Sequence, residues 1–146
     1  MIIKQFSLND LQKCCELYVR TFNGEPWYDQ WTQKTAYTRL LEIAENKRFL
    51  GYTLWDNEEL IGAVFCYLKT YYNGSEVFIE EIWVSPDHQR KGYGVMLMEE
   101  IEKYAKENGI PSVTLLTGKG KPSFSFYERC GYMQLEYLAF MHKRIE

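Results

Sequence analysis

Apolar positions along the chain change period several times, and each change marks an element. Ile2 to Phe6 reads as a short opening strand. From Leu11 the period is helical: Leu11, Cys14, Cys15, Tyr18 and Val19 share a stripe, Asn9 or Asp10 is placed to cap it, and Asn23-Gly24 ends it. Glu25-Pro26-Trp27-Tyr28-Asp29-Gln30-Trp31 has no period and reads as an aromatic loop opened by proline. Thr32 caps a second helix, apolar at Ala36, Leu40, Leu41 and Ile43. Phe49 to Trp55 and Leu60 to Tyr71 read as strands joined at Asp56-Asn57-Glu58-Glu59. Asn73-Gly74 turns the chain into a strand from about Glu76 to Val84, which Ser85-Pro86 stops. A helix is predicted from about Gly92 to Glu107. Leu97, Met98, Ile101 and Ala105 face inward, and Glu99–Lys103 and Glu102–Lys106 are spaced as pairs on the wet side. Asn108-Gly109 ends that helix. Val113 to Leu116 is a strand, Ser123 to Arg129 a short helix stopped by Gly131, and Tyr132 to Ile145 is expected to add one or two strands.

This order predicts an α/β (α+β) fold: a mixed central sheet of about six to seven strands with helices on both faces. A strand–helix–strand unit from Val77 to Leu116 stands at its centre. No repeat, low-complexity tract or linker interrupts it, so residues 1–146 read as one domain.

Composition narrows the class. Of the 146 residues, 46% are hydrophobic and 25% charged, as in a soluble globular domain. Twelve tyrosines and four tryptophans exceed what a core of this size needs, and some can line a groove. A net charge of −3 argues against nucleic acid as a partner and suits a cationic small molecule. Cys14, Cys15, Cys66 and Cys130 form no C-x-x-C pair, so zinc and thioredoxin-type chemistry are not expected, and we read them as reduced thiols of a cytoplasmic protein. Met1 to Phe6 has no signal-peptide core, and no apolar run approaches the ~18 residues of a membrane span.

The sharpest chemical signal is Gln89-Arg90-Lys91-Gly92-Tyr93-Gly94, which leaves a strand and opens a helix. Two glycines let backbone N–H groups approach a ligand, the helix start adds unpaired donors, and Arg90 and Lys91 add charge. Together they favour a phosphate or pyrophosphate. A basic turn that binds nothing is the plain alternative. A dinucleotide fingerprint would need glycine where Leu97 stands, and Gly118-Lys119-Gly120-Lys121 lacks the spacing of a P-loop.

The run Val77-Phe-Ile-Glu-Glu-Ile-Trp-Val-Ser-Pro followed by Gln89-Arg-Lys-Gly-Tyr-Gly resembles the central motif of the GNAT superfamily of acetyl-CoA-dependent N-acetyltransferases. Phe126-Tyr127-Glu128-Arg129-Cys130-Gly131-Tyr132 is similar to that family's second segment, F-Y-x-x-x-G-F. The element order from residue 1 to 145 agrees. The resemblance implies that acetyl-CoA enters where the strand ending at Val84 splays from the strand at Val113. Backbone near Ile82, Trp83 and Val84 would bind the pantetheine arm and thioester, and Gln89, Arg90, Lys91, Gly92, Tyr93 and Gly94 the pyrophosphate. Ser123 and Phe126 are further cofactor contacts by the same resemblance. No metal is implied. The asparagine that many members carry shortly before the tyrosine of the second segment is replaced here by the Lys119-Gly120 region.

Attack on a thioester needs a neutral amine, and a free alkylamine has a pKa near ~10.4, so a base is required. Strict alternation puts Glu80 on the face of Phe78 and Ile82, and Glu81 on the face of Ile79 and Trp83. By resemblance to polyamine-acetylating members, Glu80 is the preferred base, through water, and Glu81 the contact for a cationic acceptor. A bulge in this strand would exchange those roles, and exposed or salt-bridged carboxylates are the plain alternative. Tyr127 matches the family's general acid, with core packing as the alternative. Trp27, Tyr28 and Trp31 lie where acceptor loops fall in the family and can hold a cation by cation–π attraction, or simply pack the first two helices.

The expected activity is acetyl transfer to a primary amine of a small cationic acceptor, polyamine-like or aminoglycoside-like. A protein or peptide acceptor keeps the same chemistry, and a non-catalytic acyl-CoA sensor shares the fold. No nucleic acid or membrane partner is expected, and the family admits a homodimer.

Overall fold

The computed structural model describes residues 1–146 and divides them into two compact units, Met1–Leu116 and Thr117–Glu146.

The first unit holds strands β1 (Ile2–Gln5), β2 (Phe49–Asp56), β3 (Glu59–Tyr71), β4 (Gly74–Val84) and β5 (Val113–Leu115), with helices α1 (Leu11–Phe22), α2 (Gln33–Ala44) and α3 (Tyr93–Glu107). The sheet order is β1-β2-β3-β4-β5. The first three pairings are antiparallel, and α3 carries the chain across to a parallel β4–β5 pair. Asn57, at φ 54°, makes the tight turn between β2 and β3.

The apolar stripes fall where the periods place them. Leu11, Cys14 and Tyr18 of α1 and Ala36, Leu40 and Ile43 of α2 join Ala63, Phe65 and Trp83 in one buried cluster. Leu97, Met98, Ile101 and Ala105 of α3 are buried too, and α3 packs on β2, β3 and β4. Burial of each such aliphatic side chain contributes about 1.5–3 kcal/mol. Gly62 permits the close approach of β3, β4 and α3: a Cβ there would lie 2.8 Å from the Trp83 carbonyl oxygen and 3.3 Å from Leu97 Cδ1.

Helix starts differ in detail from the reading of the sequence. Thr32 caps α2 as expected, and Thr35 returns the bond to make a capping box. Asp10 stands at the N-cap of α1 without a side-chain cap bond. The capping side chain is Ser7, which accepts from the Asn9 N–H at the head of a 3-10 turn over Leu8–Asp10.

The second unit holds α4 (Pro122–Arg129), whose first residue is a proline already set for helix. The Tyr132 N–H bonds the Tyr127 carbonyl at 3.0 Å and the Gly131 N–H that of Glu128 at 3.0 Å, closing the helix with a Schellman motif. The strands expected over Tyr132 to Ile145 do not form, so the sheet has five strands in place of six to seven. A strand exists only in a ladder, and no ladder forms within residues 117–146. No helix of the chain is long and apolar enough to cross a membrane.

Candidate active site

The site begins with a fault in the β3–β4 ladder. Phe65 pairs with Glu81 but Cys66 pairs with Ile79, so Glu80 is an extra residue on β4, a β-bulge. Strict alternation therefore fails at this point. Glu81 keeps the face of Trp83, opposite Phe65 and Ala63, while Ile79 falls on the other face with Cys66. The bulge turns Glu80 toward the same side as Glu81.

Both carboxylates meet one side chain from α2. Arg39 donates from Nε to Glu81 Oε2 at 3.2 Å and from a terminal nitrogen to Glu80 Oε1 at 3.2 Å. Tyr18 of α1 donates its hydroxyl to the same Glu81 Oε2 at 2.7 Å. Glu81 is the more enclosed of the two, with 17% of its side chain exposed against 24% for Glu80. Burial pushes the Glu81 carboxyl above its ordinary range, against the pull of Tyr18 and Arg39, and the negative neighbour Glu80 adds to the rise. Burial and the Glu81 charge likewise push the Tyr18 phenol up, so it stays a donor.

Beside this pair the sheet opens. Pairing of β4 with β5 covers only Val77, Phe78 and Ile79. From Glu80 through Ile82, Trp83 and Val84, β4 is bonded to β3 on one side, and within Met1–Leu116 no strand pairs the other. On that edge the Val84 carbonyl accepts from the Gln89 side chain, and no strand of this unit takes the remaining backbone groups. The Trp83 side chain is 2% exposed and packs against the rings of Tyr18 and Phe65.

The strand then runs through Ser85 and a 3-10 turn (Pro86–His88) into the loop at Gln89. Gln89 ties back to the Val84 carbonyl at 3.1 Å. Arg90 takes φ 63°, and Gly92, the N-cap of α3, takes φ 84°. A Cβ on Gly92 would meet nothing within 4 Å, so the glycine serves backbone conformation and an open approach. The first helical bond runs from the Met96 N–H to the Gly92 carbonyl at 3.1 Å. Helix geometry leaves the N–H groups of Tyr93, Gly94 and Val95 without partners in the helix. Lys91 lies exposed in the same turn.

The aromatic loop is pinned by Asn23, which exchanges two 2.8 Å bonds with the backbone of Trp31. Trp31 packs edge-on against Tyr18 at 5.1 Å and donates Nε1 to Asp29 at 3.0 Å. Asp29, Gln30, Trp31 and Thr35 line a shallow depression. Trp27 leans on Phe22, whereas Tyr28 points to solvent with its hydroxyl on Glu25 at 2.9 Å. Of the three aromatic candidates, Trp31 is thus linked through Tyr18 to Glu81.

Ser123, Phe126 and Tyr127 belong to the second unit. There the Ser123 hydroxyl lies 2.9 Å from that of Thr117, and Tyr127 sits between the rings of Phe126 and Tyr132. No group of three or more His, Cys, Asp or Glu side chains stands where it could hold a metal ion.

Two site residues escaped the reading of the sequence, Tyr18 and Arg39. Tyr18 reads as helix core from its spacing, and its ring is buried, but its hydroxyl reaches Glu81. Arg39 falls on the apolar stripe of α2, three residues after Ala36 and four before Ile43. A cation at a core-facing position is the signal that marks it.

Residues 11–132 match the family described as the acetyltransferase (GNAT) family. An uncharacterized N-acetyltransferase of Methanocaldococcus jannaschii is 26% identical over 147 residues, 92% of this chain but 61% of that protein. The chain thus spans less than two thirds of that relative. Aminoglycoside N(6')-acetyltransferase type 1 of Acinetobacter genomosp. 13 is 26% identical over 113 residues, 73% of this chain and 76% of the relative. Among solved structures, AAC(6')-Iy in complex with the bisubstrate analog CoA-S-monomethyl-acetylneamine shares the fold. Its TM-score is 0.75 at 19% identity, over 99% of this chain and 98% of the other.

Proposed function

Since the chain belongs to the acetyltransferase (GNAT) family, we propose that it carries an acetyl group from acetyl-CoA to a primary amine of a small cationic acceptor. The aminoglycoside acetyltransferase among its relatives and the CoA-containing analog bound to the structural neighbour support this reading. The observation that carries it is the Glu80–Glu81 pair, two carboxylates turned to one face of β4 where β5 ceases to pair with that strand.

Acetyl-CoA would lie with its thioester and pantetheine along the free edge at Ile82, Trp83 and Val84. Its pyrophosphate would rest on the N–H groups from Arg90 to Gly94, with Gln89 bracing the loop and Lys91 supplying charge. Ser123 and Phe126 are assigned to the cofactor on their motif alone. The acceptor arrives as an ammonium. Glu81, whose burial raises its proton affinity, is the better suited base, and Glu80 the contact for the cation. This exchanges the roles that the resemblance to polyamine-acetylating members favoured, as a bulge in the strand allows. Once Glu81 takes the proton, the nitrogen attacks the thioester carbonyl carbon and a C–N bond forms. The C–S bond then breaks, and the departing thiolate takes up a proton, a role assigned to Tyr127 on its motif alone, leaving an acetamide and free CoA. Trp31, with Trp27 and Tyr28, would hold the body of the acceptor.

Release of CoA thiol from acetyl-CoA, followed against a panel of polyamines, aminoglycosides, amino acids and peptides, tests the reading. Amine-dependent release, strongest with small polycations, is expected. Binding of acetyl-CoA without release for any amine would reduce the protein to an acyl-CoA sensor.

A further inference from the structure

Arg39 is bound to both members of the carboxylate pair, beside the Tyr18 hydroxyl. It uses adjacent donors, Nε and a terminal nitrogen, one for each carboxylate. That fork is a property of guanidinium and not of ammonium. Two carboxylates close enough to share one guanidinium repel each other, and such a pair left alone holds a proton between its members. The groups facing Glu81 are Tyr18 from α1, Arg39 from α2 and Glu80 from its own strand, while β3 presents Phe65 opposite it. Arg39 is therefore the one cation set against two anions in this half-enclosed cluster.

We propose that Arg39 is a positioning residue of the acceptor site: one edge of its guanidinium holds Glu80 and Glu81 side by side, both ionised, and leaves the pair one net negative charge for one acceptor ammonium. The inference rests on the acetyl-transfer reading. It adds a charge count to the site, because a second cation on the acceptor must find its partner outside the pair. It also explains a placement that stability alone does not. A cation on the apolar stripe of α2 is costly there, and a partly exposed ion pair returns little.

Arg39→Gln and Arg39→Lys in the full chain test it by three readings. The first is the pH profile of kcat/KM. Removing the cation raises the carboxylate pKa, so the ionised base persists only at higher pH. The acidic limb in Arg39→Gln should move up by about one to two pH units. Arg39→Lys, which keeps the charge and loses the fork, should move it less. The second is the KM ratio for a monoamine and a diamine of equal chain length. Above the shifted limb, where both carboxylates are again ionised and uncompensated, Arg39→Gln should shift that ratio several-fold, on the order of a single ion-pair contact, toward the diamine. The third needs no turnover: a carbon-13 titration of the glutamate side chains, in which the Glu81 midpoint should rise in Arg39→Gln. An unmoved limb, ratio and midpoint would overturn the proposal and leave Arg39 a structural salt bridge. Should no amine be acetylated, the proposed function fails while the titration still decides the role of Arg39. If Arg39→Gln does not fold, the titration of Arg39→Lys decides, an upward shift supporting the proposal and an unchanged midpoint contradicting it.

Discussion

Tyr18 and Glu81 stand 63 positions apart in the chain and share a hydrogen bond of 2.7 Å. The bond ties α1 to the bulged strand and places a neutral donor on the proposed base. It matters most when Glu81 is ionised. Glu81 has a raised pKa, so the folded chain keeps a proton that the unfolded chain has lost. The contribution of this group to stability is therefore present below its ordinary range and declines as pH rises through the raised value.

Tyr18→Phe removes a donor that favours the ionised form. It should cost about 1–3 kcal/mol at pH 7, less as pH falls and Glu81 takes up its proton. Urea unfolding at pH 7 and pH 4 measures the difference. An equal loss at both values would mean that the hydroxyl serves packing and not the charge of Glu81.

The elements around this bond were legible because each is written locally. The stripe of α1, the cap at Thr32 and the turn at Asn57 need only their own neighbours to be read. The bulge at Glu80 is different. It is a mismatch between two strands, and nothing in Ile79-Glu80-Glu81 alone records how Phe65 and Cys66 will pair. Arg39 carries a local signal in its place on the apolar stripe of α2, but its partners Glu80 and Glu81 come from another element and are not written beside it. The tail shows the opposite error. One or two strands were expected there, but a strand needs a partner in a ladder, which a local segment does not record.

Gly92→Asp should keep the fold and lose the cofactor. The position is open, so no clash follows, although φ 84° is strained for most side chains. The added carboxylate would face the pyrophosphate. Acetyl-CoA raises the melting temperature of any chain that binds it only when folded. The mutant should lose more than about tenfold in affinity, ~1.4 kcal/mol. A melting shift as large as that of the unaltered chain would remove the loop from the site.

Tyr127→Phe separates chemistry from packing. If the phenol protonates the departing thiolate, kcat should fall by about 10²-fold or more, with acetyl-CoA affinity little changed. Turnover at the original level would leave Tyr127 as a ring in the Phe126–Tyr132 cluster.

The most direct test of the account is the rate of amine-dependent CoA release by Glu81→Gln at neutral and at high pH. Glutamine keeps the size of the side chain and can still bond Tyr18, but it cannot take the proton of the acceptor. The rate should fall by roughly 10²–10⁴-fold near pH 7. It should recover in part as pH approaches the ~10.4 of a free alkylamine, where solution supplies the neutral nucleophile. Unaltered release at pH 7 would contradict the assignment of Glu81 as the base of an acetyl transfer.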